Sequence, residues 1–295
     1  MSEILSIQSH VAHGYVGNRA AVFPLQRLGW DVTAINTVQF SNHTGYGAFT
    51  GEVFSPAHLA DVLAGIESLT GFRDVAALLT GYMGDENTGE VTLDALRRIR
   101  AAAPEALYCC DPVMGDTGRG FFVRPGIPEW MRARALPAAD IVTPNQFELA
   151  WLADQPVTTR AEALAATAAL RGTGPAVVLV TSLAVEDTRP ERIAMLVDTA
   201  EGSWRVSSPR IGFDIAPNGA GDFTAAVFLA GCLDAGLGGD GPARALARTA
   251  AAVEALFSAT QAAGTRELAL IGAQDAVAAA VRAPAGTSIA IERLR

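Results

Sequence analysis

Asn218-Gly219-Ala220-Gly221-Asp222 runs directly into the apolar stretch Phe223–Leu229, so two glycines, a carboxylate and a helix start fall within five residues. Glycine lets the backbone turn tightly and leave its N–H groups open. At a helix start, unpaired amides and the positive end of the dipole converge on one point. Such a point attracts an anion. A carboxylate in that first turn is placed to take a proton beside a phosphoryl group undergoing transfer. The plainer reading is that Asp222 only charges the first turn of a helix.

Two further segments carry acids at strand ends. Thr143-Pro144-Asn145-Gln146-Phe147-Glu148 follows a short apolar strand, and Asn145 and Glu148 fall about one helical turn apart. Such a pair could help hold a hydrated Mg²⁺, which keeps several waters and takes few protein ligands; it could equally be a helix cap. Cys109-Cys110-Asp111-Pro112-Val113-Met114-Gly115 sets Asp111 at the end of a central strand, or in an ordinary Asp-Pro turn. Behind it, Asp116–Gly120 has the glycine content of a movable lid, and Arg119 in it either reaches a phosphate or is a solvated surface arginine.

Near the N-terminus, Gln8-Ser9-His10 and Val38–Tyr46 are dense in donors and acceptors with aromatic residues between them. That mixture suits a flat heteroaromatic substrate bearing hydroxyls. His43 is read as a satisfied loop residue. Tyr82, in Thr80-Gly81-Tyr82-Met83-Gly84, either stacks on such a ring or packs.

Strand-like and helix-like stretches alternate almost from end to end, and these elements must position the segments above. Strands are expected at Ile4–Ile7, Asp31–Val38, Val75–Leu79, Leu107–Cys110, Ile141–Val142 and Ala176–Val180, with Ile193–Val197 and Ser203–Val206 paired antiparallel. The run Ala176–Val180 is continuously apolar, as in a strand buried on both faces. Helices are expected near 19–28, 58–69, 88–102, 146–152, 160–171, 221–235, 242–260 and 273–282. The pattern describes an α/β fold, with one doubly wound, mostly parallel sheet and helices on both faces, over a single domain spanning 1–295. In such a fold ligands bind beyond the carboxyl ends of the strands, so loops are expected to open near Gln8, Gln39, Gly81, Asp111, Thr143 and Thr181.

Composition excludes several classes. All 22 basic residues are arginine and the chain contains no lysine. A Walker A loop needs its lysine on the phosphates, and a pyridoxal phosphate cofactor is normally held as a lysine Schiff base. Net charge is −9, with no basic run, which argues against a nucleic-acid partner. No apolar run reaches the roughly 20 residues of a bilayer span. The N-terminal residues read as a first strand rather than a signal peptide. Three cysteines, two of them adjacent, fit a reducing cytoplasm.

Taken in order along the chain, IQSHV, NTVQFSNHT at Asn36–Thr44, GYMG, CDPVMG, TPNxxE and GxGD resemble the pyridoxal kinase branch of the ribokinase-like superfamily. NTVQFSNHT is the most specific of these, because the others recur in sugar and nucleoside kinases. The resemblance implies an enzyme that phosphorylates the 5′-hydroxymethyl of pyridoxal with ATP and Mg²⁺, with a monovalent cation as a further candidate. It also implies a cytoplasmic homodimer with no membrane partner. By the same resemblance Asp222 is the base and contacts substrate, while Gly219, Ala220 and Gly221 form the anion hole. Asp111 and Glu148 organise Mg²⁺ and the ATP phosphates. Ser9 and Thr44 contact polar atoms of the pyridine ring, with Val16, His43, Gly45 and Tyr82 around it, and Thr143 and Thr181 lie on the nucleotide side. Two positions depart from the pattern: relatives commonly carry lysine at position 181 and a larger polar residue at position 45.

Hydroxymethylpyrimidine kinase is the nearest alternative, but that branch often has cysteine where Asp222 stands and lacks QFSNHT. Sugar and nucleoside kinases usually carry an early Gly-Gly pair, which HVAHGYVGN lacks. A non-catalytic vitamer-binding protein would have no use for Asp222, Asp111 and Glu148 together.

Overall fold

Alternate side chains of a strand point to opposite faces, so a strand inside a two-sided core must be apolar at every position. The computed structural model, which describes residues 2–283 and 290–295, bears this out over Val177–Val180, the first four residues of β9 (Val177–Leu183). Val178 and Val180 pack into one hydrophobic cluster, while Val177 and Leu179 pack into the other. In β4 (Val75–Thr80), Leu78 joins the first cluster, and Ala77 and Leu79 the second. Cys109 and Cys110 in β5 (Leu107–Cys110) divide the same way, and both are free and buried.

Helices α2 (Pro56–Thr70), α3 (Glu86–Ala102), α6 (Gln146–Ala153) and α7 (Arg160–Arg171) supply the first cluster. On the other face α1 (Asn18–Arg27), α8 (Ala220–Ala235) and α9 (Gly241–Ala263) supply the second, and α10 (Leu270–Arg282) packs on α9. The short helices α4 (Ile127–Trp130) and α5 (Leu136–Ala138) lie between β5 and β8 (Ile141–Val142). Ten residues of α8 in succession, Phe223 to Cys232, are buried, so this helix is apolar all round and anchors the glycine segment at its start.

The main sheet runs β12 (Ile291–Arg293), β11 (Ser203–Pro209), β10 (Arg192–Asp198), β9, β8, β5, β4, β1 (Glu3–His13), β2 (Asp31–Asn42) and β3 (Gly51–Val53). Its middle, from β9 to β2, is parallel. The edges are antiparallel: β10 (Arg192–Asp198) pairs with β9 and with β11 (Ser203–Pro209), as expected from sequence. The edge strands β3 (Gly51–Val53) and β12 (Ile291–Arg293) were not expected. The chain leaves β1 toward β2 on one side and returns to β4 on the other. The switch point of the winding therefore falls beside β1, where a ligand crevice forms.

Three expectations about loops need correction. β1 (Glu3–His13) and β2 (Asp31–Asn42) do not open at Gln8 and Gln39 but stay paired as far as His13 opposite Asn42. Backbone pairing satisfies their amides regardless of the polar side chains. Between Gln8 and His10 the register shifts by one, so Ser9 of β1 faces two residues of β2, Thr37 and Val38; the bulge lies in β2, a device that re-aims side chains beside active sites. Thr181 likewise lies within β9. The Asp116–Gly120 segment is a two-stranded hairpin of β6 (Gly115–Asp116) and β7 (Gly120–Phe121). No helix among the described residues is long and apolar enough to cross a membrane.

Candidate active site

Gly219 caps α8 with φ +87°, and a Cβ there would stand 1.8 Å from the carbonyl oxygen of Tyr15. Only glycine fits both the left-handed backbone and that contact. The first helical bond of α8 runs from the Phe223 N–H to the Gly219 carbonyl, leaving the Ala220 and Gly221 amides without an intrahelical acceptor. Asp222 follows them, half-buried. Burial pushes its carboxyl up to about 6, although the Gly17 backbone N–H and its own N–H donate to it and pull the other way.

Asp111 lies close by, and a Cβ on Gly221 would be 3.8 Å from its Oδ2. Thr143 Oγ1 donates to Asp111 Oδ1 at 2.9 Å, whereas Oδ2 is buried with no partner. Burial first, then the charges of Glu148 and Asp222, push the Asp111 carboxyl well up. An orphaned carboxylate oxygen in a cluster of three acids is a fitting place for a cation. Among the described residues no three His, Cys, Asp or Glu side chains form a ready-made cage.

Glu148 turns out to be a fastener. Asn145 and Glu148 form a reciprocal cap: Asn145 Oδ1 accepts from the Glu148 N–H at 3.0 Å, and Glu148 Oε2 accepts from the Asn145 N–H at 2.9 Å. Glu148 Oε1 accepts from the Met114 N–H at 2.8 Å, and Asn145 Nδ2 donates to the Gly115 carbonyl at 2.8 Å. The segments after β5 and β8 are thus tied together. Burial nevertheless prevails over these backbone bonds and raises the Glu148 carboxyl to about 7.

Gly17 and Val16 adjoin the start of α8, Ser9 lies against Gly17, and Gly45 lies against Asn218. A Cβ on Gly17 would meet the Ser9 carbonyl oxygen at 2.1 Å, and one on Gly45 would meet Asn218 Nδ2 at 2.9 Å. Thr44 is exposed, and Tyr82 is half-buried with its carbonyl oxygen accepting from Thr37 Oγ1 at 2.8 Å. Thr181 adjoins the segment after β8, its N–H donating to the Pro144 carbonyl at 2.9 Å and its backbone bridging to Asn145. Arg119 is exposed, 5.3 Å above the Phe122 ring.

His43 is not the satisfied loop residue expected. It is buried, with Nε2 bonded to Glu267 at 2.9 Å and Nδ1 unpartnered. Sequence reading also missed Gly17, Tyr15 and Glu267. Gly17 alone had a signal, as a glycine just ahead of a helix.

The chain matches the family model described as phosphomethylpyrimidine kinase over residues 32–264. It is 54% identical over 283 residues to the pyridoxal kinase of Rubrobacter xylanophilus, covering 95% of this chain and 96% of that one. It is 50% identical over 275 residues to the pyridoxal kinase of Deinococcus radiodurans, covering 92% and 91%. A solved structure of the pyridoxal kinase of Leishmania donovani, in complex with ADP and pyridoxamine, superposes with a TM-score of 0.88. That alignment has 30% identity and covers 99% of each chain.

Proposed function

The chain belongs to the phosphomethylpyrimidine kinase family and, within it, to the pyridoxal kinases, and we propose that it transfers the γ-phosphoryl group of ATP to the 5′-hydroxymethyl of pyridoxal. The observation that carries this reading is Asp222, a half-buried carboxylate at a glycine-opened helix start. Its raised position near 6 suits a group that takes a proton around neutral pH.

In this reaction Asp222 accepts the hydroxyl proton as the oxygen attacks the γ-phosphorus. The bond from the γ-phosphorus to the bridging oxygen breaks, and ADP leaves with that oxygen. The Ala220 and Gly221 amides meet charge on the transferring group. Mg²⁺, bound with the nucleotide, would supply charge neutralisation on the phosphates. Asp111 is the direct candidate to hold it through Oδ2. Glu148, whose oxygens already accept backbone N–H groups, supports that position by fixing the Met114–Gly115 segment and the start of α6. With no lysine in the chain, arginine and backbone amides are the other counter-charges available.

Pyridoxal is favoured over hydroxymethylpyrimidine by the segment around His43 and by an aspartate rather than a cysteine at position 222. The family likeness supports one kinase domain acting as a cytoplasmic homodimer, which light scattering of the purified protein tests. The functional reading is tested by ATP- and Mg²⁺-dependent phosphorylation of pyridoxal, pyridoxine, pyridoxamine and hydroxymethylpyrimidine. Pyridoxal should be turned over well and hydroxymethylpyrimidine poorly. The reverse order would move the chain to the other branch, and binding without turnover would make it a vitamer-binding protein.

A further inference from the structure

Glu267 lies in the turn between α9 and α10, outside every motif legible in the sequence. Its carboxylate reaches two distant segments. Oε1 accepts from the Tyr46 hydroxyl at 2.7 Å and bonds His43 Nε2 at 2.9 Å, while Oε2 accepts from the Tyr15 N–H at 3.0 Å. Gly14 leaves room for it, since a Cβ there would be 2.4 Å from Oε2. Arg266 closes the far side, 3.7 Å above the Tyr46 ring, and donates to the Gly45 carbonyl at 2.5 Å. One turn therefore ties residues 14–15 to residues 43–46.

The bonding fixes a proton. Burial by itself would raise the Glu267 carboxyl, but the bonds from Tyr46, His43 and Tyr15 prevail and hold it below the usual carboxylate range. An ionised carboxylate only accepts, so the shared hydrogen belongs to His43 Nε2. In the neutral ring Nδ1 is then a lone-pair acceptor. The His43 side chain is 5% exposed, and Nδ1 has no partner. It faces the Gly45 Cα, where an added Cβ would be 2.9 Å from both Nδ1 and Asn218 Nδ2, at the start of the segment leading to Asp222. A buried acceptor left unpaired is costly, and a donor on the substrate would satisfy it. The 5′-hydroxymethyl of pyridoxal is the group taken by Asp222; of the ring's remaining donors, the hydroxyl and the protonated nitrogen, the hydroxyl is the one assigned to Nδ1.

We propose that Glu267 is a positioning residue for the vitamer: it fixes the Nε2–H tautomer of His43, so that Nδ1 accepts from the ring hydroxyl of pyridoxal, and it latches residues 14–15 to 43–46 around the ring. The inference rests on the pyridoxal reading for its substrate, but the tautomer itself does not.

Two measurements test it. ¹⁵N correlation spectra of the histidine side chains in the ligand-free wild-type protein should show His43 as the Nε2–H tautomer; the Nδ1–H tautomer would overturn the proposal. Steady-state kinetics of Glu267→Gln should then show KM for pyridoxal raised roughly 5- to 10-fold, the worth of a misplaced hydrogen bond, with KM for ATP little changed. An analogue lacking the ring hydroxyl should lose this sensitivity to the substitution. Equal rises in both KM values, or an unchanged penalty with the analogue, would reduce Glu267 to a structural role. Should Glu267→Gln fail to fold, the wild-type spectrum still decides: addition of pyridoxal should shift the His43 Nδ1 resonance, and an indifferent Nδ1 would sink the idea. Failure of the wild type to phosphorylate pyridoxal would overturn the functional reading separately, because the tautomer is read without substrate.

Discussion

The carboxylate of Asp222 accepts a hydrogen bond from the backbone N–H of Gly17, so the turn after β1 holds the base at the start of α8. Gly17 has φ +56°, and a Cβ on it would lie 2.1 Å from the Ser9 carbonyl oxygen, which is backbone and cannot yield cheaply. Gly17→Ala should therefore displace the turn and cost roughly 1–3 kcal/mol. Thermal melting and turnover should both fall. An alanine variant with the wild-type melting point and kcat would show that the turn does not hold the base.

Asp222→Asn keeps an oxygen that can accept from Gly17 but cannot take a proton. Turnover should drop by roughly 10²–10⁴, the usual worth of such a group, with pyridoxal binding retained. Near-normal turnover would end the assignment.

The same carboxyl sets the acid limb of the pH profile. Burial raises it to about 6, and only the ionised form accepts a proton, so kcat should be level above about 7 and fall as pH drops through 6. The profile is read in buffers that leave the protein folded. Activity that stays level down to pH 5 would mean that the base is another group.

Glu148 accepts from three backbone N–H groups, those of Asn145, Met114 and Gly115. Glu148→Gln replaces one accepting oxygen with a donor that faces them, a loss of roughly 1–3 kcal/mol. The variant should need more Mg²⁺ and ATP for half-maximal rate while its KM for pyridoxal changes little. An unchanged metal requirement would take Glu148 out of the nucleotide half of the site. The same cluster shapes stability. In the folded protein burial raises Glu148 to about 7, above the 4.5 of a free glutamate, and Asp111 moves the same way. Folded chains then hold protons that unfolded chains release. The contribution is fully present below about 4.5 and is lost as pH rises toward 7. Melting of the chelator-treated protein should follow that slope, and Mg²⁺ with nucleotide should recover the loss at pH 7.5.

With no lysine in the chain, pyridoxal phosphate has no side-chain amine with which to form a stable imine. Arginine stays protonated and is a poor imine former. Product should bind reversibly and inhibit without time dependence. Borohydride reduction followed by peptide mass analysis should find no adduct beyond the α-amino group of Met1, a residue outside those described. A stoichiometric adduct elsewhere in the chain would defeat the prediction.

Much of this was legible in the residues themselves. Ala176–Val180 announced a strand buried on both faces because the requirement is local to each side chain. Asn145 and Glu148 announced a helix start because a cap closes within one turn, although only the structure showed that the cap also grips Met114 and Gly115. The helix start at Gly219 was readable for the same reason.

The remainder depended on contacts between segments far apart in the chain. β1 and β2 run on to His13 and Asn42 because each satisfies the other's backbone, which no pattern within either segment records. His43 looked like a spare loop histidine until Glu267, 224 residues later, came within 2.9 Å of its ring. By itself the sequence determined the alternation of strands and helices and the acid at the start of α8, since periodicity and capping are fixed by near neighbours. Only the tertiary structure decided which buried oxygen of Asp111 and which buried nitrogen of His43 are left without a partner, because an orphaned atom is defined by every partner that fails to reach it.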